Sequence, residues 1–231
     1  MKIAITRLEN KAAGDRALCT SCGHDCYTVS PLRAEVRMER VAAFVEAVHR
    51  GEFDCLFFSS ALPAAIVGPR LKRWPRVIAI GPKTAETLRE SGIEAEILPS
   101  FYSRDFVPYL GEWLRGRTVG IPRADVPNPG LLNAIAAAGG TVREERVYAL
   151  APTGTELALD AADAVLFTSA MSYREARWRP RDGLLLVAIG DITADAMRAG
   201  GHPPAVVGDG SLAGTLPWSS GTDRLQEPLT P

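Results

Sequence analysis

Short runs of apolar residues recur along the chain, and each has the length and the flanking residues of a buried strand. Runs of this kind, bounded by Gly, Pro and Ser, are typical of strands covered on both faces, as in parallel sheets. The runs occupy residues 2–6, 54–58, 76–80, 94–98, 117–121, 163–167 and 184–189. We therefore predict seven buried strands.

Between these runs, the apolar residues follow a helical period instead. They are Val41, Phe44, Val45 and Val48 in one segment, and Leu131, Leu132, Ile135 and Ala138 in another, which ends at two glycines. Spacings of three and four residues place each set on one helical face. Because strands and helices alternate, the predicted fold class is α/β, with parallel sheets flanked by helices.

The chain also repeats itself. One register, offset by 109 residues, aligns residues 54–61 with 163–170, residues 77–92 with 186–201, and Pro108-Tyr109 with Pro217-Trp218. A second register, offset by 116 residues, aligns Ile3-Ala-Ile-Thr-Arg7 with Val119-Gly-Ile-Pro-Arg123. We interpret the protein as a duplication of one α/β domain. Since two copies are too few for a solenoid, two similar lobes that face a cleft are the expected architecture.

Charge and hydropathy exclude several classes of protein. The chain of 231 residues has 26 basic and 27 acidic residues and no block of either sign, so no broad basic face for nucleic acid is expected. No window approaches the roughly 18 apolar residues of a membrane helix. The N-terminus enters a strand without the apolar region of a signal peptide. We expect a cytoplasmic protein that binds neither nucleic acid nor membrane.

The stretch Cys19-Thr-Ser-Cys22-Gly-His-Asp-Cys26 resembles a metal site. In the register of 116, however, its three cysteines lie opposite Ile135, Ala138 and Val142. Buried free cysteine behaves as a small apolar residue. We therefore predict that the three thiols pack in a core and have no metal or redox role, and a zinc or iron–sulfur protein remains the alternative.

The repeated segments carry the candidate binding residues. Ser60 and Ser169 follow two of the predicted strands, where open α/β sheets bind ligands. Two further segments combine a glycine turn with the start of a helix, whose free N–H groups favour carboxylate or phosphate. Their residues are Gly81 with Thr84, and Gly190 with Thr193. The alternative is that the hydroxyl residues only cap helices.

Other motifs are missing from the sequence. It contains no Gly-x-Gly-x-x-Gly after a strand, no P-loop and no Gly-x-Ser-x-Gly. An enzyme of this kind must act mainly by orientation and hydrogen bonding.

Taken in order, the motifs resemble the uroporphyrinogen-III synthase family. They are the paired Phe-(Ser/Thr)-Ser and Ala-Ile-Gly-x-x-Thr-Ala segments, the strands that end in Arg7 and Arg123, and Glu-Arg-Val-Tyr148 before Ala-Pro152. The resemblance runs from Met1 to about Trp218. It implies two similar α/β lobes joined by two extended crossings. The first domain would comprise residues 1–33 plus 152–218, the second residues 34–151, and residues 219–231 would form a disordered tail.

The resemblance also implies an activity. Family members are lyases that close linear hydroxymethylbilane to uroporphyrinogen III, with loss of water and inversion of ring D, through an azafulvene and a spiro intermediate. They need no cofactor and no metal. By resemblance, Tyr148 is the candidate catalytic residue, whose phenol would assist loss of hydroxide. The alternative is a tyrosine that packs in the crossing.

The substrate's acetate and propionate groups need binding residues. The resemblance assigns this role to Ser60, Thr84, Ser169 and Thr193, together with Gly81 and Gly190, and Arg7 and Arg123 are further candidates. Each arginine would alternatively form an ion pair within its own lobe. Arg174, Arg177, Arg179 and Arg181 are interpreted as a solvated face. The expected partner is the small-molecule substrate, the expected state is a monomer, and a non-catalytic tetrapyrrole-binding sensor is the alternative function.

Overall fold

The computed structural model describes residues 1–8, 14–126 and 128–218, and the predicted tail at residues 219–231 lies outside them. Contacts between Cα atoms divide the chain into two compact units. The first unit comprises Met1–Ala34 and the chain from Ala151 onward, and the second comprises Glu35–Leu150. In the described ranges, no helix is both long and apolar enough to cross a membrane.

Ten strands and nine α-helices are seen in the described residues. The strands are β1 Lys2–Leu8, β2 Asp25–Val36, β3 Cys55–Phe58, β4 Arg76–Ala79, β5 Glu96–Ile97, β6 Thr118–Ala124, β7 Thr141–Pro152, β8 Ala164–Phe167, β9 Leu185–Ala188 and β10 Val206–Val207. The helices are α1 Asp15–Ser21, α2 Met38–His49, α3 Ala61–Val67, α4 Pro82–Arg89, α5 Phe106–Leu110, α6 Pro129–Ala137, α7 Ala170–Arg174, α8 Asp191–Ala199 and α9 Leu212–Thr215. All seven predicted strands are confirmed.

Each unit has its own parallel sheet, and the two sheets have the same topology. The strand order is β10-β9-β8-β1-β2 in the first unit and β5-β4-β3-β6-β7 in the second. The described pairings within each unit are parallel. Each strand of the first unit has a counterpart in the second, at an offset of 109 or 116 residues in the sequence. The two counterparts occupy the same position in their strand orders. The two units therefore share one strand order.

The sequence did not define the bounds of β2 and β7, which contain 12 residues each. Their residues alternate irregularly between buried and exposed, and β2 contains a proline at position 31. Such strands lack the uninterrupted apolar run that identified the others. Unit boundaries fall within both strands, since β2 crosses from residue 34 to 35 and β7 from residue 150 to 151.

The two copies also have corresponding apolar cores. Cys19 and Cys26 are buried in the first unit beside Ile3 and Ile5, with Cys22 packed against this cluster. In the second unit, the counterparts Ile135, Ala138 and Val142 belong to the corresponding cluster. The cysteines therefore pack as apolar residues, as predicted. In the described part of the chain, no group of three His, Cys, Asp or Glu side chains is arranged to hold a metal ion.

Thiol reactivity should follow this burial. Burial raises the pKa of Cys19 to about 12, with a further contribution from Cys26, and burial also raises that of Cys55 to about 12. At pH 8 only about one such thiol in ten thousand is ionised. We expect dithiobis(nitrobenzoate) to modify the partly exposed Cys22 first. Cys19 and Cys55 should react only on unfolding. Rapid modification of Cys19 in the native Cys22→Ser variant would contradict this packing.

Candidate active site

The carboxyl ends of three parallel strands bring several predicted residues together in the second unit. The strand β3 pairs with β6 through Leu56 and Gly120, and β6 pairs with β7 through Ala124 and Tyr148. Ser60 lies two residues beyond the end of β3. Since the strands run in the same direction, Ser60 and Tyr148 are at one level of the same sheet edge.

A register shift sets the position of Tyr148. Arg123 lies opposite Arg146, but the next residue, Ala124, lies opposite Tyr148, so Val147 is an extra residue in β7. Such a bulge re-aims the side chains that follow it. The same shift occurs in the first unit, where Leu8 lies opposite Leu32. Leu32 is the counterpart of Tyr148, so a leucine suffices for packing at this place in one copy and a tyrosine occupies it in the other.

Tyr148 is 5% exposed, and the Ser60 side chain lies close enough to influence the ionisation of its phenol. Burial raises the pKa of Tyr148 above its ordinary value. The Ser60 side chain and the positive charge of Arg123 lower the pKa by less. The phenol is therefore protonated at neutral pH and is available as a hydrogen-bond donor.

Ser60 does not cap its helix. It occupies the N-cap position of α3 but makes no capping hydrogen bond. Its usual partner would be the N–H of the third helical residue, which here is Pro63 and has no N–H. In the other copy, Ser169 caps α7 by accepting from the Ser172 N–H at 3.0 Å. Equivalent serines thus have different contacts.

This difference between the serines predicts different effects of the same substitution. We expect Ser169→Ala to lower the free energy of unfolding by about 1 kcal/mol, because a helix cap is lost. Ser60→Ala should raise the pKa of Tyr148 further, whereas Ser169→Ala should leave it unchanged. Urea unfolding and NMR titration of ¹³Cζ-labelled tyrosine, assigned with Tyr148→Phe, measure the two effects. An unaltered Tyr148 titration in Ser60→Ala would show that the two hydroxyls do not interact.

Arg123 is held by an ion-pair network next to these residues. Its guanidinium donates to Glu144 Oε2 at 3.1 Å and to the carbonyl oxygen of Val126. Glu144 also pairs with Arg146 at 3.2 Å, and Arg146 pairs with Asp125 at 2.7 Å. The Arg123 side chain is only 10% exposed. It therefore fixes the sheet edge below Tyr148 and contributes positive charge to the phenol.

Arg7 has a comparable partner in the first unit. Its Nε and Nη2 atoms donate to the two carboxylate oxygens of Asp15 at 2.6 and 2.9 Å. A bidentate pair of this kind occupies one N–H edge of the guanidinium. For both arginines, the structure contains the ion pair that was the alternative to carboxylate binding. Their contact with a substrate stays a prediction.

The glycine and threonine pairs lie where the sequence placed them, at the starts of α4 and α8. Gly81 and Gly190 occupy the N-cap positions of these helices. Thr84 and Thr193 lie in the first turns and are 4% and 3% exposed. Their hydroxyls are thus less accessible than those of the half-buried Ser60 and Ser169. Carboxylate binding by these residues stays a prediction.

Two features near this edge were missed by the sequence analysis. Glu144, the acid that holds Arg123, has no distinguishing pattern in the sequence. Phe101 has a φ of +60° and is 53% exposed, and its side chain lies 3.4 Å from the place that a Cβ atom on Gly81 would occupy. Its counterpart at an offset of 109 is Gly210, with a φ of +93°. A glycine at the equivalent position of the other copy indicates a backbone with positive φ, and this was the signal in the sequence for the conformation of Phe101.

Comparisons with known proteins agree with this architecture. A family model described as uroporphyrinogen-III synthase HemD matches residues 16–211. Among curated proteins, no sequence matches this chain significantly.

Among solved structures, uroporphyrinogen-III synthetase from Helicobacter pylori 26695 is 16% identical, with a TM-score of 0.60 over 92% of this chain and 95% of that one. A mutant uroporphyrinogen III synthase from the extremely thermophilic bacterium Thermus thermophilus is 20% identical, with a TM-score of 0.50 over 92% and 94% of the two chains. These likenesses show the fold. Since the family model covers most of the sequence, this chain belongs to the uroporphyrinogen-III synthase family.

Proposed function

We propose that this protein closes hydroxymethylbilane to uroporphyrinogen III and that Tyr148 is its catalytic residue. The family match over residues 16–211 makes the chain a cyclising lyase of tetrapyrrole biosynthesis. The observation that supports the role of Tyr148 is its buried position at the carboxyl edge of the sheet in the second unit, near Ser60. The counterpart Leu32 supports it as well, because packing alone does not require a phenol at this place.

The proposed role of Tyr148 is to donate a hydrogen bond to the departing hydroxyl group. The terminal C–O bond breaks as electrons from the pyrrole nitrogen form an azafulvenium ion, and the departing hydroxide takes up a proton and leaves as water. Loss of the pyrrole N–H proton then gives the neutral azafulvene, so no net proton is gained or lost. Because burial raises the pKa of Tyr148, the phenol keeps its proton at neutral pH. Ser60 lowers that pKa by less than burial raises it, so the phenol proton stays available to the leaving group.

We propose that the substrate's carboxylates are bound by the residues at the carboxyl ends of the strands in each unit. Ser60 and Ser169 are half-buried, and the N–H groups at Gly81 and Gly190 begin helices whose dipoles favour anions. Arg7 and Arg123 would act mainly through charge, since their donors already bind carboxylates. Neutral amides and hydroxyls can bind carboxylates without an excess of basic residues, which is consistent with the net charge of −1.

We also propose that the two units act as the lobes of the family, with residues 1–33 plus 152–218 as one domain and residues 34–151 as the other. A monomer that works in the cytoplasm is the proposed form of the protein. No cofactor is proposed, because protonation and orientation suffice for the loss of water and the ring closure.

The product isomer tests this function. Purified protein is supplied with freshly generated hydroxymethylbilane, and the oxidised uroporphyrins are separated by chromatography. We expect type III in excess over the protein-free control, because unguided closure gives the symmetric type I isomer. A product that is entirely type I, at any concentration of protein, would refute the proposed function.

A further inference from the structure

A cavity lies in the first unit, and none of the candidate site residues lines it. It has a volume of about 710 Å³ and is lined by Tyr173, Arg174, Arg177, Trp178, Arg179 and His202, together with the end of α8. The predicted binding residue Gly190 caps the start of this nine-residue helix. A rise of 1.5 Å per residue places the two ends of α8 about 12 Å apart. The cavity is therefore distinct from the carboxyl edge of the sheet.

Aromatic rings form one wall of this cavity in a fixed arrangement. The rings of Trp178 and His202 have centroids 4.8 Å apart. The Tyr173 hydroxyl is hydrogen-bonded to His202 Nδ1 at 2.8 Å. Gly200 permits this bond, because a Cβ atom there would lie 2.0 Å from the Tyr173 hydroxyl oxygen. The half-buried Trp178 thus presents a ring held by its neighbours.

Positive charge surrounds these rings. Arg179 pairs with Glu156 at 3.1 Å, and both side chains are more than half exposed. Arg174 and Arg177 are exposed, and within residues 1–8, 14–126 and 128–218 neither forms an ion pair. Glu156 is also the only acidic residue among those that line the cavity within the described chain. The cavity therefore has an excess of guanidinium groups with free donors.

The duplication provides an internal comparison. The second unit has a cavity of about 500 Å³ at the equivalent place. At an offset of 109, Arg174, Arg177, Trp178, Ala196, Ala199 and Gly200 of the first correspond to Ala65, Gly68, Pro69, Thr87, Glu90 and Ser91 of the second. The fold thus produces this depression in both copies. Only the first copy carries rings and arginines, so packing of the fold does not account for them.

We infer that this cavity binds a small planar aromatic anion. Guanidinium groups match the geometry of carboxylates and phosphates, and the indole of Trp178 offers a face for stacking. A volume of about 710 Å³ is within the range of small-molecule sites. The arginines were interpreted from the sequence as a solvated face, and their place around an aromatic wall gives them this more specific role.

Isothermal titration calorimetry tests the inference with four probes. Adenosine 5′-monophosphate and 1-naphthoate each combine a ring with an acidic group, whereas adenosine has only the ring and inorganic phosphate only the charge. We expect at least one of the two aromatic anions to bind with a Kd below about 1 mM at physiological salt, at one site per chain. Adenosine and phosphate should bind at least about tenfold more weakly. Whichever aromatic anion binds more tightly identifies the acidic group as phosphate or carboxylate.

Two double variants test whether the anion binds in this cavity. The double substitution Arg174→Ala/Arg177→Ala should raise the Kd of the anion by at least about tenfold, since two charge-assisted contacts are lost. The control Arg89→Ala/Arg115→Ala removes the same charge from exposed sites of the second unit and should have no effect. Absence of binding by both aromatic anions below 1 mM, or equal affinities in the two double variants, would overturn the inference. Neither outcome depends on cyclisation activity.

Discussion

Replacing Tyr148 with phenylalanine should lower kcat for hydroxymethylbilane by about ten- to a hundredfold and leave KM within about twofold. A hydrogen bond to a leaving group forms mainly in the transition state, and its loss therefore reduces kcat. Phenylalanine retains the shape of the buried ring, so the fold should persist. Steady-state kinetics, with the type III product separated from the spontaneous type I product, measure both constants.

The matched control is Tyr27→Phe. Tyr27 is a tyrosine of the first unit whose hydroxyl donates to the carbonyl oxygen of Ala158 at 2.7 Å, so this substitution also removes a hydrogen-bonded phenol group. It should leave kcat unchanged. If Tyr148→Phe has the kcat of the wild type, Tyr148 is a packing residue of β7 and its proposed catalytic role is wrong.

The pKa of Tyr148 also limits the effect of pH on this step. Because burial raises that pKa above its ordinary value of 10.0, the donor form persists from neutral to moderately alkaline pH. Ionisation of Tyr148 should reduce kcat only above pH 10. The stability that comes from burying the neutral phenol is likewise present below pH 10 and is lost as the pH rises through the folded-state pKa.

The second large effect is expected at Arg123. Arg123→Ala should lower the free energy of unfolding by about 3 kcal/mol, because a nearly buried ion pair loses one partner. Among the described residues, Glu144 would then have only Arg146 to balance its charge, and the carbonyl oxygen of Val126 would lose a donor. Urea unfolding followed by circular dichroism measures the change.

A double variant separates the ion pair from simple loss of volume. In Arg123→Ala/Glu144→Gln, the unpaired carboxylate is removed, and part of the lost stability should return. The exposed pair of Arg115 and Glu112, at 75% and 88% exposure, provides the control, and Arg115→Ala should cost less than 1 kcal/mol. If Arg123→Ala is as mild as Arg115→Ala, the network does not stabilise the sheet edge.

Much of the fold was predictable from local patterns. Buried parallel strands such as β3 and β8 appear as continuous apolar runs, and the two offsets of the repeat predicted that both units share one topology. The repeat also showed that Cys19, Cys22 and Cys26 occupy apolar positions, which a search for metal motifs alone would have misjudged.

The contacts of the candidate site were not predictable in the same way. The meeting of Ser60 and Tyr148 depends on the bulge at Val147, and a single extra residue in a strand has no local signature. Arg123 pairs with Glu144 and Arg7 pairs with Asp15. Which acidic residue comes close to each arginine depends on the tertiary structure. Pro63 was visible in the sequence, but its effect on Ser60 became clear only when the start of α3 was known.

The isomer ratio formed by Tyr148→Phe tests the central claim most directly. That claim is that the scaffold controls which ring carbon is attacked and that Tyr148 assists the loss of hydroxide. The measurement uses enzyme in excess over hydroxymethylbilane, so that closure in free solution is minimal. We predict that Tyr148→Phe forms uroporphyrinogen more slowly than the wild type but still mainly as type III. A shift to type I at an unchanged rate would contradict this division of roles.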